Sequence, residues 1–285
     1  MKILAIGDLH VGSIYGLAPR EFANNPFQQW AIEEFDGLIK SSMDIDYLVL
    51  LGDMVDGASH KDTTTLWETD VDTQVSHAVA LLEPLKHGKH FKGILGVTGS
   101  GYHYGKGSGF DADAQVTKSL KGSHDKSHQL LQTPHGVIYF HHRSKNIQTE
   151  LKIMHQRYYN DAVKIALLVG AHLHRAISLQ DQGARIIHAP CWEYSMPFIG
   201  FGNTMSIGAV IIEVNKQGIY PSLITYPIPI AVEQEMCGYT TISDAQLRDR
   251  DTAKLKQLSK KAVVQSVNRK KSSSKSYLPP KINKK

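Results

Sequence analysis

Met1-Lys2-Ile3-Leu4-Ala5-Ile6-Gly7-Asp8-Leu9-His10-Val11-Gly12 opens the chain and decides how the rest is read. Residues 3–6 are an apolar run of the kind buried in a sheet, and at Gly7 it empties into two metal-capable side chains one residue apart, Asp8 and His10. In open α/β sheets, ligands collect in the crevice outside the carboxyl ends of the strands. A strand that ends in Gly-Asp-x-His is therefore placed for chemistry, and its partners are to be sought where other strands end.

They follow in order. Residues 47–51 run into Gly52-Asp53-Met54-Val55-Asp56-Gly57, and residues 93–97 into Thr98-Gly99-Ser100-Gly101-Tyr102-His103. Residues 136–140 meet His141 and His142, and residues 165–169 meet Gly170-Ala171-His172-Leu173-His174. Five strands each deliver Asp, His or a hydroxyl to one edge. Between the first two, Phe27, Trp30, Ala31, Phe35, Leu38 and Ile39 recur at helical spacing, which predicts a crossover helix and parallel Asp8 and Asp53 strands. Val75, Ala78, Val79, Leu82 and Leu85 predict a second amphipathic helix with Pro84 in its last turn. Shorter helical readings cover 111–120 and 148–162, with a polar stretch to His128 after the first. A strand over 185–189 and a hairpin of 207–214 with 220–226 complete the body, the hairpin reading as the far side of a second sheet.

At 285 residues, 41% hydrophobic and 21% charged, the chain is long enough for one large α/β domain with a full core. No run approaches the ~18 apolar residues of a membrane span, so the expectation is a soluble, cytoplasmic protein. Cys191 and Cys237 are the only cysteines, which excludes a disulfide framework and a thiolate metal cluster. Fifteen histidines, many at strand ends, suit imidazole-bound transition metals. The net charge of +5 is unevenly spread: residues 254–285 hold eleven Lys and Arg and no acid, leaving 21 basic against 27 acidic residues before them. The expected organisation is a catalytic domain over 1–243, then a polar helix and a basic, disordered tail over 244–285.

The succession of strand ends resembles the calcineurin-like metallophosphoesterases, whose pattern runs D-x-H, GD-x-x-D, GNH-D/E, H, G-H-x-H. The blocks Gly7-Asp8-Leu9-His10, Gly52-Asp53-Met54-Val55-Asp56 and Gly170-Ala171-His172-Leu173-His174 fit closely, Ala171 standing extra after the glycine. Pro190-Cys191-Trp192, followed by an aromatic, glycine-rich segment, resembles the phage-encoded branch, for which the host cytoplasm is the expected location. The resemblance implies a β-sandwich flanked by helices with its active site at the carboxyl ends of the strands, and two divalent ions, manganese first among Mn, Fe, Zn, Co and Ni. It implies Asp8, His10 and His174 on the first ion, Asp53 bridging both, and His141 and His172 on the second. A hydroxide between the ions would attack phosphorus. Ser100 stands where the family has its Asn ligand, so a hydroxyl is the expected fourth donor of the second ion. His103, two residues later than usual, is the expected general acid or phosphate-orienting group, and Asp56 is expected to orient an imidazole.

Gly57 stands where protein phosphatases of the family carry a phosphate-gripping Arg, which argues against a phosphoprotein phosphatase. The expected activity is a phosphodiesterase or nuclease, with a phosphate-ester substrate that can be nucleic acid, since the basic tail could track a phosphate backbone. A hydrolase of small phosphodiesters or monoesters, and an inactive binding protein of the same fold, are the alternatives; the altered third block is the feature that favours the latter.

Overall fold

The computed structural model describes residues 1–57, 65–101, 103, 110–142, 165–181, 184–194 and 205–236. Residues 105–109, the helix expected over 148–162, the aromatic, glycine-rich residues 198–203 and everything expected beyond residue 243 lie outside these.

β1 (Lys2–Ile6), β2 (Tyr47–Leu50), β3 (Gly93–Val97) and β4 (Ser123–Asp125) lie side by side in parallel, with Leu4 opposite Leu48 and Leu48 opposite Ile94. The second sheet contains β5 (Gln129–Thr133), β6 (Gly136–Phe140), β7 (Ile165–Gly170), β8 (Ile177–Asp181) and β9 (Ala184–His188) in the order β5-β6-β7-β9-β8. Its centre, β6-β7-β9, is parallel as well. The sequence pattern missed β4, β5 and β8: β4 is three polar residues on a sheet edge, and β5 alternates exposed and half-buried positions without an apolar run.

The hairpin of β10 (Ile207–Val214) and β11 (Ile219–Tyr226) corrects the expectation that it belonged to the second sheet. β10 pairs antiparallel with β1, Leu4 facing Ile211, so the first sheet reads β11-β10-β1-β2-β3-β4. Burial explains this: Ala209 and Val210 are both fully buried, so β10 needs cover on both faces and sits inside a sheet, while β11 alternates and forms the edge.

One core joins the sheets face to face. Ile3, Ala5, Val49, Val210 and Ile212 from the first sheet pack with Ile138, Phe140, Leu167, Val169 and Ile187 from the second. The alternate residues Leu4, Ile6, Leu48 and Leu50 are buried on the opposite face of the first sheet. Helices begin at capped positions: Asn25 accepts from Gln28 N at the start of α1 (Pro26–Ser41), Asp70 from Thr73 N at α2 (Val71–Leu82), and Asp111 from Ala114 N at α3 (Ala112–Ser119). α2 begins before the first apolar residue of its pattern because of its Asp70 cap, and a 3-10 turn over Glu83–His87 takes up Pro84. α3 packs on β3 and against α2. The result is a helix-flanked β-sandwich in which the parallel strands of both sheets end on the same side.

Candidate metal centre

Each strand end turns sharply. Asp8, His10, Asp53, His172 and His174 all have left-handed backbones, with φ of 52°, 47°, 52°, 79° and 54°. Such conformations cost about 1–3 kcal/mol each in a non-glycine residue and persist only where the surroundings over-determine them. Backbone pairing supplies that constraint, since Asp8 N donates to Gly52 O at 3.0 Å and His10 N to Asp53 O at 3.1 Å. Buried Asp113 ties the next pair of loops together, its carboxylate accepting from Met54 N at 2.9 Å, Gly99 N at 2.7 Å and Asp53 N at 3.2 Å.

The two central carboxylates are each held by one oxygen. Asp8 Oδ2 accepts from His172 N at 3.0 Å, and Asp53 Oδ1 from Ser100 N at 2.7 Å. Their other oxygens, Asp8 Oδ1 and Asp53 Oδ2, have no hydrogen-bond partner. The rings are fixed in the same sense. His142 Nδ1 meets Leu51 O at 2.8 Å, His103 Nδ1 meets Asp56 O at 2.8 Å, and His10 Nδ1 meets Asp56 Oδ1 at 3.1 Å. Because these oxygens only accept, Nδ1 carries a proton in each ring of this network and Nε2 is the nitrogen turned to the centre. Those nitrogens face the two carboxylate oxygens: His142 Nε2 is 3.0 Å and His103 Nε2 3.5 Å from Asp53 Oδ2, and His10 Nε2 is 4.0 Å from Asp8 Oδ1. His174 Nε2 stands 3.4 Å from the same Asp8 oxygen.

Burial and charge describe what such a cluster needs. Eight buried atoms without a hydrogen-bond partner converge here: Asp8 Oδ1, His10 Nε2, Asp53 Oδ2, His142 Nε2, His172 Nδ1, both ring nitrogens of His174, and Glu193 Oε2. Buried polar atoms are rarely left unpaired, and acceptors that face one another require a cation between them. Protons can fill that role in part. Burial opposes charge on these rings, yet Asp53 outweighs it, pushing His142 up to about 9 and, with Asp56, His103 up to about 10. Burial likewise opposes ionisation of Asp8, but His174 and His142 hold its carboxyl down at about 2. Carboxylate and imidazole donors fit divalent transition metals. Asp8, His10 and His174 form one group whose donor atoms lie within 4.8 Å of one another; His10, Asp53 and His103 form a second, and Asp53, His142 and His172 a third.

The sequence profile of the calcineurin-like phosphoesterases matches residues 1–176. The chain belongs to that family. Among solved structures, this calcineurin-like phosphoesterase is similar to Vps29 from Chaetomium thermophilum, at 14% identity over 80% of this chain and 98% of that one, with a TM-score of 0.44. It is similar also to Vps29 from Entamoeba histolytica complexed with zinc, at 13% identity over 80% and 100% with a TM-score of 0.41. A novel archaeal phosphodiesterase gives 10% identity over 79% and 100%, with a TM-score of 0.44. No curated protein matches the sequence.

Of the residues expected from sequence, this calcineurin-like phosphoesterase brings together Asp8, His10, Asp53, His103, His172 and His174. Ser100 stands beside them through its backbone N–H on Asp53 Oδ1. His141 lies elsewhere. It continues the β6-β7 pairing through its N–H on Val169 O, and its ring tilts against Tyr139 at 5.7 Å between centroids. Successive strand residues face opposite ways, so His141 shares the outer face with Tyr139 while His142 follows Phe140 inward to Asp53. The sequence reading takes the first of the doubled His, and the strand's burial parity sets His142, not His141, beside Asp53. Two more carboxylates, Asp113 and Glu193, were missed because neither stands at a strand end that carries the family pattern. Replacing His142 by Ala is expected to weaken one of two bound ions at least about tenfold, since even outer partners of metal ligands are worth 10–100-fold. His141→Ala should leave both unchanged, and calorimetric titration of the two variants with Mn²⁺ checks this.

Proposed function

We propose that this protein is a dinuclear metal-dependent phosphodiesterase. The observation that carries the reading is the shared position of Asp53, which belongs to two donor groups at once, one with His10 and His103 and one with His142 and His172. A carboxylate common to two sets of imidazoles suits the bridge between two ions, with Asp8, His10 and His174 for the first and His142 and His172 for the second. Ions held there would supply charge to neutralise phosphoryl oxygens and to acidify a water at neutral pH. Manganese is the first ion to test, because Asp/His donors accept it readily.

The chain's own residues supply the rest. Asp8 and Asp53 keep one oxygen each tied to a backbone N–H, so their other oxygens hold direction without rearrangement. His103, its Nε2 3.5 Å from Asp53 Oδ2 and its Nδ1 bonded to Asp56 O, is suited to orient a phosphoryl oxygen or give a proton to the leaving group. Preference for diesters is supported by Gly57. Its φ is +73°, and a Cβ there would fall 1.8 Å from His103 O, so this site has no room for an arginine at 57 to grip a monoester dianion. The natural substrate class we propose is a nucleic-acid phosphodiester, on the eleven basic residues and no acid in 254–285 and on Pro190-Cys191-Trp192, which supports the phage-type reading.

The test is turnover of bis(p-nitrophenyl) phosphate against p-nitrophenyl phosphate by the Mn²⁺-loaded protein. The diester is expected to turn over faster, and His103→Ala is expected to lower kcat about 10²-fold or more with metal content intact. A faster monoester would overturn the diesterase assignment, and an unchanged kcat would remove His103 from the chemistry.

A further inference from the structure

The segment after β9 lies beyond the part of the chain matched by the family profile, yet its backbone is bonded to two strand ends of the metal centre. Trp192 N donates to Asp8 O at 2.9 Å and Tyr194 N to Tyr15 O at 2.9 Å, which ties it to the loop that carries Asp8 and His10. Ser206 N donates to His174 O at 3.0 Å and Cys191 N to Ser206 O at 2.8 Å, which ties it to the loop after β7. The Trp192 side chain is fully buried, its ring edge-on to Phe35 of α1 at 4.9 Å between centroids. Glu193, between these anchors, is therefore delivered to a fixed place, where it is 3% exposed.

Its Oε2 stands 3.4 Å from His174 Nδ1, while the other ring nitrogen, His174 Nε2, stands 3.4 Å from Asp8 Oδ1. His174 thus has one carboxylate at each nitrogen, and none of these four atoms has a hydrogen-bond partner among the described residues. Glu193 shares a donor group with His10 and Asp56 but none with Asp8 and His174, so it does not join those two on one ion; its Oε2 is 3.7 Å from His10 Nε2. Cys191 also lies against His174, but its Sγ donates to Glu193 O at 3.3 Å. A metal-ligating histidine commonly donates its second N–H to a carboxylate, which fixes both the ring and its tautomer. Asp56 holds that place behind His10, with Oδ1 3.1 Å from His10 Nδ1. Glu193 stands in the same place behind His174, slightly beyond the roughly 2.7–3.2 Å of an N–H···O bond. Closing that gap satisfies two buried atoms at once.

We infer that Glu193 is a positioning residue for the first metal position: its carboxylate accepts the Nδ1–H of His174 and sets the ring with Nε2 turned toward Asp8. The inference rests on the two-metal reading and adds to it a residue from a segment outside the family match. Removing the acceptor leaves a buried N–H unpaired and the ring free to turn. The loss then falls on the ion position that includes His174, and not on the one that includes His142 and His172.

The experiment is calorimetric titration of the metal-free full chain with Mn²⁺ for wild type, Glu193→Met, Glu193→Gln and Cys191→Ala. Met fills the space without an acceptor, whereas Gln keeps an oxygen that can take the Nδ1–H. Wild type is expected to bind two ions. Glu193→Met is expected to weaken one of them about 10–100-fold and leave the other unchanged, with Glu193→Gln recovering much of that loss and Cys191→Ala matching wild type. Wild-type affinities in Glu193→Met, both ions weakened alike, a loss in Glu193→Gln as large as in Glu193→Met, or a loss in Cys191→Ala would each overturn the positioning role and leave the metal centre standing. No ion bound by wild type would overturn both. If Glu193→Met does not fold, nitrogen-15 spectra of histidine-labelled, Zn²⁺-loaded wild type and Glu193→Gln decide instead. The Nδ1–H proton of His174, assigned by its loss in His174→Ala, is expected far downfield in wild type and moved upfield in Glu193→Gln, and an unmoved resonance refutes the inference.

Discussion

Asp53→Asn is expected to lower hydrolysis by about two to three orders of magnitude while the protein stays folded. Asp53 Oδ1 must accept the Ser100 N–H at 2.7 Å, so an Asn at this position is forced to keep its carbonyl oxygen there. Its NH₂ then takes the place of Oδ2, directed at His142 Nε2 and His103 Nε2, which stand 3.0 and 3.5 Å away. The amide would present hydrogen atoms to those nitrogens where a cation is needed. Loss of the shared carboxylate should cost about 3–4 kcal/mol of transition-state stabilisation, a fall of about 10²–10³-fold in kcat/KM. Thermal unfolding of the metal-free variant at neutral pH should come somewhat earlier than that of metal-free wild type, because the carboxylate held ionised by His142 and His103 has been removed. Steady-state diester hydrolysis and a melting curve on the same preparation check both halves. Near-normal turnover would sink the bridging role of Asp53.

Gly99→Ala should remove both the site and much of the stability. Gly99 sits where the loop after β3 crosses the loop after β2, and its N–H is one of the three held by Asp113. A Cβ at this position would lie 2.0 Å from Asp53 Oδ1 and 2.3 Å from Asp53 N. The second contact is to backbone, so no side-chain rotation relieves it. Either the β2 loop moves, breaking the Asp113 cradle and the Ser100 bond to Asp53, or β3 shifts against β2. Overpacking of this kind typically costs about 1–3 kcal/mol, and more where backbone must move. The expected result is a clear drop in the denaturant midpoint together with loss of bound metal. An unaltered midpoint with two ions bound would show that the loops are far more compliant than their hydrogen bonding implies.

The legible part of the fold was the part that buries apolar strands. β1, β2, β3, β6 and β7 each appear in the sequence as a short apolar run that stops at a functional residue, because parallel strands covered on both faces leave an uninterrupted hydrophobic signature. β4 and β5 lack one, since an edge strand such as β4 has nothing to bury on one side. The hairpin was recognised but assigned to the wrong sheet: its register is set by pairing with β1, more than 200 residues away, and periodicity within the hairpin carries no trace of that partner.

The candidate centre was legible for the same reason as the strands. Asp8, His10, Asp53, His172 and His174 stand directly after apolar runs, and all five have the left-handed backbones that turn a side chain back over the sheet edge. His142 was hidden behind His141 by a question of strand parity alone. Glu193 was hidden differently: its segment lies beyond the family pattern, and only the hydrogen bond from Trp192 N to Asp8 O reveals that it returns to the first strand's end. Asp113 likewise reads as an ordinary residue in the first turn of α3 until its three backbone partners are seen.

Hydrolysis of bis(p-nitrophenyl) phosphate by the metal-free chain, followed through a stepwise titration with Mn²⁺, tests the central claim most directly. A dinuclear phosphodiesterase gives no turnover without metal, little with the first equivalent, and a rate that rises until two ions are bound per chain and then levels off. Two ions bound with no hydrolysis of this ester or of nucleic acid would contradict the assignment and leave a metal-binding protein of the same fold.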